Sequence, residues 1–121
     1  MESFKASVNI SLPTTIDRDA AIQRFEYTVE AAWKTAQRYL EIIEGISEGS
    51  PKGAVRRCRE IGILSDESAV TALEMIDDRN LTVHTYNEGL AQKIYSHLPK
   101  YTHLIEAWLT NLEKRLSKDP S

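Results

Sequence analysis

The sequence predicts an all-α antiparallel bundle of four to five helices behind an extended N-terminal arm. Three observations carry that reading. Apolar residues recur at steps of three and four along two long stretches. Serine caps, a proline at a first helical position and well-placed glycines separate the stretches. Strict apolar–polar alternation is confined to the first dozen residues.

The arm comes first, over residues 1–16. Phe4, Ala6, Val8, Ile10 and Leu12 alternate with Lys5, Ser7, Asn9 and Ser11, and Pro13 ends the pattern. A lone strand cannot satisfy its own backbone, so it must lie on something, a partner chain included. The bundle is expected over residues 17–118. Thr14 and Asp17 have capping-box-like spacing. Ile22, Phe25, Val29, Ala32, Ala36, Tyr39 and Ile43 then form one stripe, widened by Trp33 and Leu40, on a helix from Asp17 to Glu44. Gly45 and Gly49 stop it. Ser50-Pro51 opens a short helix with Val55, Cys58 and Ile61 inward, ended by Gly62. Ser65 caps a third helix, with Asp66 and Glu67 where the helix dipole favours acids. Its seam reads Ala69, Leu73, Ile76, Asn80 and Val83, and Asn87 and Gly89 break it. The last helix, Glu88 to Ser117, carries Ile94, Leu98, Tyr101, Ile105, Trp108 and Leu112. Pro99 falls inside this run without disturbing its register. That predicts a kink or two helices end to end.

A chain of 121 residues is one domain, 1–121, and holds a core without staples. Apolar content of 41% with a net charge of −3 excludes wholesale disorder. The single cysteine, Cys58, excludes a disulfide scaffold. No apolar run approaches the roughly 18 residues of a membrane span. The first residues lack the basic and apolar regions of a secretory signal, so a cytoplasmic location is expected. The acidic balance is a poor footprint for non-specific nucleic-acid binding, and neither DNA nor a membrane is an expected partner. Lys52, Arg56, Arg57 and Arg59 cluster, and read as a solvated helix face. His84, His97 and His103 are too scattered for a metal triad, and no glycine-rich phosphate loop occurs. Neither metal nor cofactor is expected. Trp33, Trp108, Tyr95 and Tyr101 lie on apolar stripes and read as core.

The third helix holds the anomaly. Asn80 falls on the apolar seam, where burial of an amide without partners costs roughly 1–3 kcal/mol. His84 lies four residues on, and Asp77 a turn earlier on the same face. Arg79 sits beside Asn80.

Arg79-Asn80-Leu81-Thr82-Val83-His84-Thr85-Tyr86 resembles the Arg-x4-His-x-Tyr motif of HEPN-domain proteins. Gln23-Arg24-Phe25-Glu26-Tyr27-Thr28, Ala32-Trp33-Lys34-Thr35, Ser50-Pro51-Lys52 and Met75-Ile76-Asp77-Asp78 are similar to the HepT-like group in the same order. That group partners minimal nucleotidyltransferases, and its members are also called nucleotidyltransferase substrate-binding subunits. The resemblance spans Asp17 to Leu112. One departure is plain: the family usually has a helix before the Gln-Arg-Phe-Glu helix, where this sequence has the alternating arm.

The resemblance implies a two-component toxin–antitoxin pair. Its toxin is a metal-independent ribonuclease, here with Arg79 and His84 catalytic and Asn80 and Asp77 supporting. The residue types suit that chemistry. Metal-free scission uses the RNA 2′-OH as nucleophile. Histidine, with an ordinary pKa of about 6.5, moves protons near neutral pH. Arginine neutralises the phosphoryl oxygens bidentately. Tyr86 matches the tyrosine that the partner adenylylates to silence the toxin. The resemblance also implies a homodimer acting on RNA, tRNA among the candidates. The alternative is a non-catalytic subunit that binds a nucleotide or presents substrate to the nucleotidyltransferase. Arg79 and His84 are five residues apart, about 140° around an ideal helix. Either the helix is distorted near Leu81, or the site is assembled from two copies across a dimer, and the resemblance implies the second.

Overall fold

The computed structural model describes residues 14–118, so the expected arm up to Pro13 lies outside the described residues. Within them the chain is four α-helices: α1 (Thr15–Ile43), α2 (Pro51–Glu60), α3 (Asp66–Leu81) and α4 (Glu88–Lys118). A single 3-10 turn, Thr82–His84, separates α3 from α4. No described helix is long and apolar enough to cross a membrane.

Local chemistry sets each start. Thr14 Oγ1 accepts from Asp17 N, Ser50 Oγ from Gly53 N and Ser65 Oγ from Ser68 N, each at 3.0 Å. Asn87 Oδ1 does the same for Leu90 N at 3.0 Å and so begins α4. Helix α1 starts two residues before the expected Asp17, and Thr15 and Ile16 are helical rather than part of an arm. Gly45 and Gly62, at φ of 69° and 84°, take the left-handed conformation that lets the chain leave α1 and α2.

Helix α1 packs on α2, α3 and α4, α2 on α3, and α3 on α4. The core is the predicted α1 stripe set against Ala54, Val55 and Cys58 of α2, Ala72, Met75 and Ile76 of α3, and Ile94, Tyr101 and Trp108 of α4. Fully burying a large apolar side chain contributes roughly 1.5–3 kcal/mol, so these residues dominate the stability of the bundle. Trp33 and Trp108 are core, as expected, while Tyr95 is only half-buried. Trp108 Nε1 reaches Cys58 Sγ at 3.4 Å, and burial pushes the Cys58 thiol above its usual range. Pro99 sits inside one continuous helix, not at a junction of two.

Two expectations about α3 are corrected. The helix does not run to Asn87 but ends at Leu81. Asn80 and Val83 do not face the core: both are exposed, Val83 at 70%. Of the predicted seam Ala69 and Ile76 are buried, but the inward face also takes in Ala72, Met75 and Asp78 and continues to Thr82 rather than to Asn80 and Val83. The buried polar residue of this helix is therefore Asp78, 5% exposed. Its Oδ2 accepts from the Tyr101 hydroxyl at 2.6 Å and lies 2.8 Å from His97 Nδ1. Tyr101 in turn stacks on Phe25, with ring centroids 5.6 Å apart. Burial, with Asp78 beside it, pushes the Tyr101 phenol well above its usual range.

Candidate functional site

The site is built where α3 gives out. Thr82 Oγ1 lies 2.7 Å from both Glu26 Oε2 on α1 and the Arg79 carbonyl, so its one proton is shared between a tertiary partner and the helix end. Thr85 Oγ1 donates to the Thr82 carbonyl at 3.0 Å. These bonds close α3 and throw the following residues outward as a tight turn.

Arg79, on the last turn of α3, points at α1. Its Nη2 is 3.4 Å from Glu30 Oε1, and the other Glu30 oxygen is 3.2 Å from Lys34 Nζ. Lys34 foremost, with the nearby Trp33 indole and Arg79, holds the Glu30 carboxyl below the usual carboxylate range. Glu30, Trp33, Pro51, Ile76, Arg79 and Asn80 line a cleft of about 70 Å³. The Trp33 indole N–H lies toward the Glu30 carboxylate, outside good hydrogen-bond geometry, and Arg79 Nε is buried without a partner among the described residues.

His84 and Tyr86 lie on the outward turn. His84 Nδ1 is 3.2 Å from the Tyr86 hydroxyl, and the two rings meet edge to face at 5.8 Å. Both are exposed, Tyr86 at 83%. The five predicted residues therefore divide into three places. Arg79 and Asn80 border the cleft against α1. His84 and Tyr86 form a contacting pair on the turn. Asp77 is tied to Lys52 Nζ of α2 at 2.6 Å and faces neither group. Among the described residues Arg79 and His84 share no hydrogen bond. Helix α3 ends at Leu81 and the turn after it does not make the two side chains converge: Arg79 is aimed at Glu30 and His84 at Tyr86.

The basic cluster reads as expected. Lys52 pairs with Asp77, Arg57 with Glu48 and Glu60, and Arg59 with Asp66, all at the surface. Sequence reasoning missed three contributors. Glu26 stands out in the sequence only as part of a family-like block, and Glu30 does not stand out at all. Trp33 was correctly read as core, but its polar edge was not considered. Periodicity ranks a tryptophan by its apolar body and is blind to its N–H.

The comparisons agree with this architecture. No curated protein matches the chain significantly. The chain is 53% identical to a protein from Thermus thermophilus whose crystal structure is known, over 91% of this chain and 92% of that one, with a TM-score of 0.82. Residues 1–114 match the family described as nucleotidyltransferase substrate binding protein like. With the match spanning nearly the whole chain, this protein belongs to the nucleotidyltransferase substrate binding protein like family.

Proposed function

We propose that the chain is the partner of a nucleotidyltransferase and, as a homodimer, a metal-independent ribonuclease that adenylylation of Tyr86 silences. The observation that carries this reading is the exposed His84–Tyr86 pair, 3.2 Å apart on the turn after Arg79. In scission, the RNA 2′-oxygen bonds to phosphorus, the 5′-oxygen leaves, and His84 carries a proton between them. Arg79 neutralises the charge that gathers on the non-bridging oxygens. In silencing, the Tyr86 oxygen attacks the α-phosphorus of ATP and pyrophosphate leaves. The partner enzyme takes the phenolic proton, because a phenol of pKa about 10 is a poor nucleophile unaided. The added phosphodiester places a negative charge and a nucleobase against His84, where RNA phosphate must approach.

The test is cleavage of several RNAs, tRNA included, by the purified protein in EDTA. Wild type is expected to cut. His84→Ala and Arg79→Ala are each expected to lose about 10²–10³ in rate. Intact mass after co-expression with the partner nucleotidyltransferase is expected to show adenylyl addition that Tyr86→Phe abolishes. Absence of cleavage by the unmodified protein overturns the ribonuclease reading. It leaves the second one, a non-catalytic subunit that holds a nucleotide or presents substrate. That second reading is favoured by the Arg79–Glu30 contact, which already engages the arginine, and by the net charge of −3.

A further inference from the structure

Helix α1 carries a second row besides its core stripe. Ala21, Thr28, Ala31, Thr35 and Ile42 recur at helical spacing on its outer side, and none of them is buried. Two cavities open between this side of α1 and helix α4. Ala21, Phe25 and Thr28 with Leu98, Thr102 and Ile105 line one of about 250 Å³. Thr35, Tyr39 and Ile42 with Leu112 and Leu116 line the other, of about 300 Å³. The threonines do not make this groove polar. Thr28, Thr35 and Thr102 each donate the hydroxyl to a carbonyl of their own helix, at 2.8, 2.8 and 3.0 Å, so what each offers a ligand is a methyl group. Ile42 is 65% exposed and Leu116 48%, at the same end of the groove. An apolar groove of this kind calls for an apolar cover.

One segment of this chain has the pattern and the reach. Phe4, Ala6, Val8, Ile10 and Leu12 fall on one face of an extended segment, and Lys5, Ser7, Asn9 and Ser11 on the other. The segment joins the bundle at Thr14, the extended residue at the head of α1. Laid back along α1 from there in extended form, Phe4 lies about 33 Å off. The same distance along a helix is about 22 residues, which brings Phe4 level with Ala36 and the second cavity. At about 3.3 Å per extended residue against about 1.5 Å per helical one, Val8 and Ile10 come level with Tyr27 and Gln23, beside the first cavity. Ala6, the smallest of the five, falls between the two. A helical arm would place Phe4 only about 15 Å from Thr14 and stop short of the second cavity.

We propose that residues 4–12 lie extended in the groove between α1 and α4 of their own chain, running against the direction of α1, with Val8 and Ile10 at the first cavity and Phe4 at the second. Arg24 and Arg38, one at each cavity, supply donors for the carbonyl oxygens of an extended chain that has no neighbouring strand. The lone alternating segment thereby gains the surface that its pattern demands. The inference is independent of whether the chain cuts RNA.

The test uses the full chain with a nitroxide on Lys5→Cys, next to Phe4 on the outward face of the arm. Cys58 is buried and is expected to escape the label, which intact mass checks. In the ¹⁵N-labelled chain that bears the nitroxide, amide signals of residues 35–42 and 112–116 are expected to lose most of their intensity, and those of residues 15–20 to stay sharp. Broadening centred on residues 15–20, or none at residues 35–42, overturns the proposal. Unlabelled chains bearing the nitroxide are then mixed with ¹⁵N chains that lack it, and no broadening is expected. Broadening of residues 35–42 in that mixture gives the groove to the arm of a second copy and overturns the proposal. Signals of residues 35–42 that ignore the nitroxide but shift when the partner nucleotidyltransferase is added assign the groove to that enzyme instead. As a second readout, Val8→Asp is expected to lower the urea midpoint and Asn9→Asp to leave it unchanged, because only the first faces the groove. Equal midpoints in the two variants overturn the extended register.

Discussion

At the scale of single residues, the helix seam before the motif turned on a choice between neighbours. Stepping Ile76, Asn80, Val83 and stepping Met75, Asp78, Thr82 both satisfy the three–four rule; the second is buried throughout, while the first leaves the core after Ile76. Asp77 and Asp78 are identical in type, so nothing local says which one is inward. The answer lies on α4, where Tyr101 and His97 wait for an acceptor 23 and 19 residues away. Asn80 is thus no buried amide, and Asp78 takes its place as the polar group that the core cannot lose. Asp78→Ala strips the partner from the buried Tyr101 hydroxyl and is expected to cost about 2–3 kcal/mol, read as a lowered urea midpoint. Asp78→Asn keeps an acceptor oxygen and is expected to cost about 1 kcal/mol. Equal losses in the two variants would mean that the carboxylate charge, not the acceptor, holds α3 to α4.

At the scale of elements, starts were legible and one end was not. Thr14, Ser50 and Ser65 cap from their own side chains, and Gly45 and Gly62 release the chain through a conformation other residues resist, so each signal sits in the sequence where it acts. Helix α3 ends at Leu81 with neither glycine nor proline. What ends it is Thr82 reaching Glu26, 56 residues away, and no local pattern contains that contact. The clasp between the starts of α1 and α4 is equally non-local. Arg18, buried on α1, places Nη1 2.8 Å and Nη2 3.0 Å from the two oxygens of Glu88. That bidentate pairing holds the Glu88 carboxyl below its usual range. A carboxyl with a lowered folded-state pKa contributes stability above its unfolded value, about 4.3, and loses it as pH falls through the folded value. Wild type is therefore expected to exceed Glu88→Gln in unfolding temperature near neutral pH, with the gap closing between about pH 5 and pH 3. The gap is expected to be small, because Glu88 is 72% exposed and solvent screens the pair. A gap that persists at the acid end would assign the effect to packing or helix-end geometry rather than to the charge.

At the scale of the whole molecule, the bundle was legible because its long stripes are self-consistent, and the division of the motif was not, because it depends on how α3 meets α1. Within one chain Arg79 reaches toward Glu30 and His84 toward Tyr86. The proposed chemistry needs both groups at one phosphate. A two-fold dimer with the motif turn at its interface presents each arginine to the other protomer's histidine, since an isologous contact pairs unlike parts of the same patch reciprocally. That arrangement makes a sharp prediction for mixtures. Arg79→Ala and His84→Ala chains are each expected to be inactive alone. Mixed in equal amounts and allowed to exchange, half of the dimers carry one chain of each kind, and each of these holds one intact Arg79–His84 pair of the two that wild type has. RNA cleavage is then expected to return to about a quarter of the wild-type rate. If both groups must come from the same chain, every site in the mixed dimer lacks one of them and no activity returns. The same mixture with Tyr86→Phe on the histidine-bearing chain is expected to keep its activity after exposure to the partner nucleotidyltransferase, since the surviving His84 then has no hydroxyl beside it to modify. Loss of activity in that mixture would place the silencing group elsewhere than Tyr86.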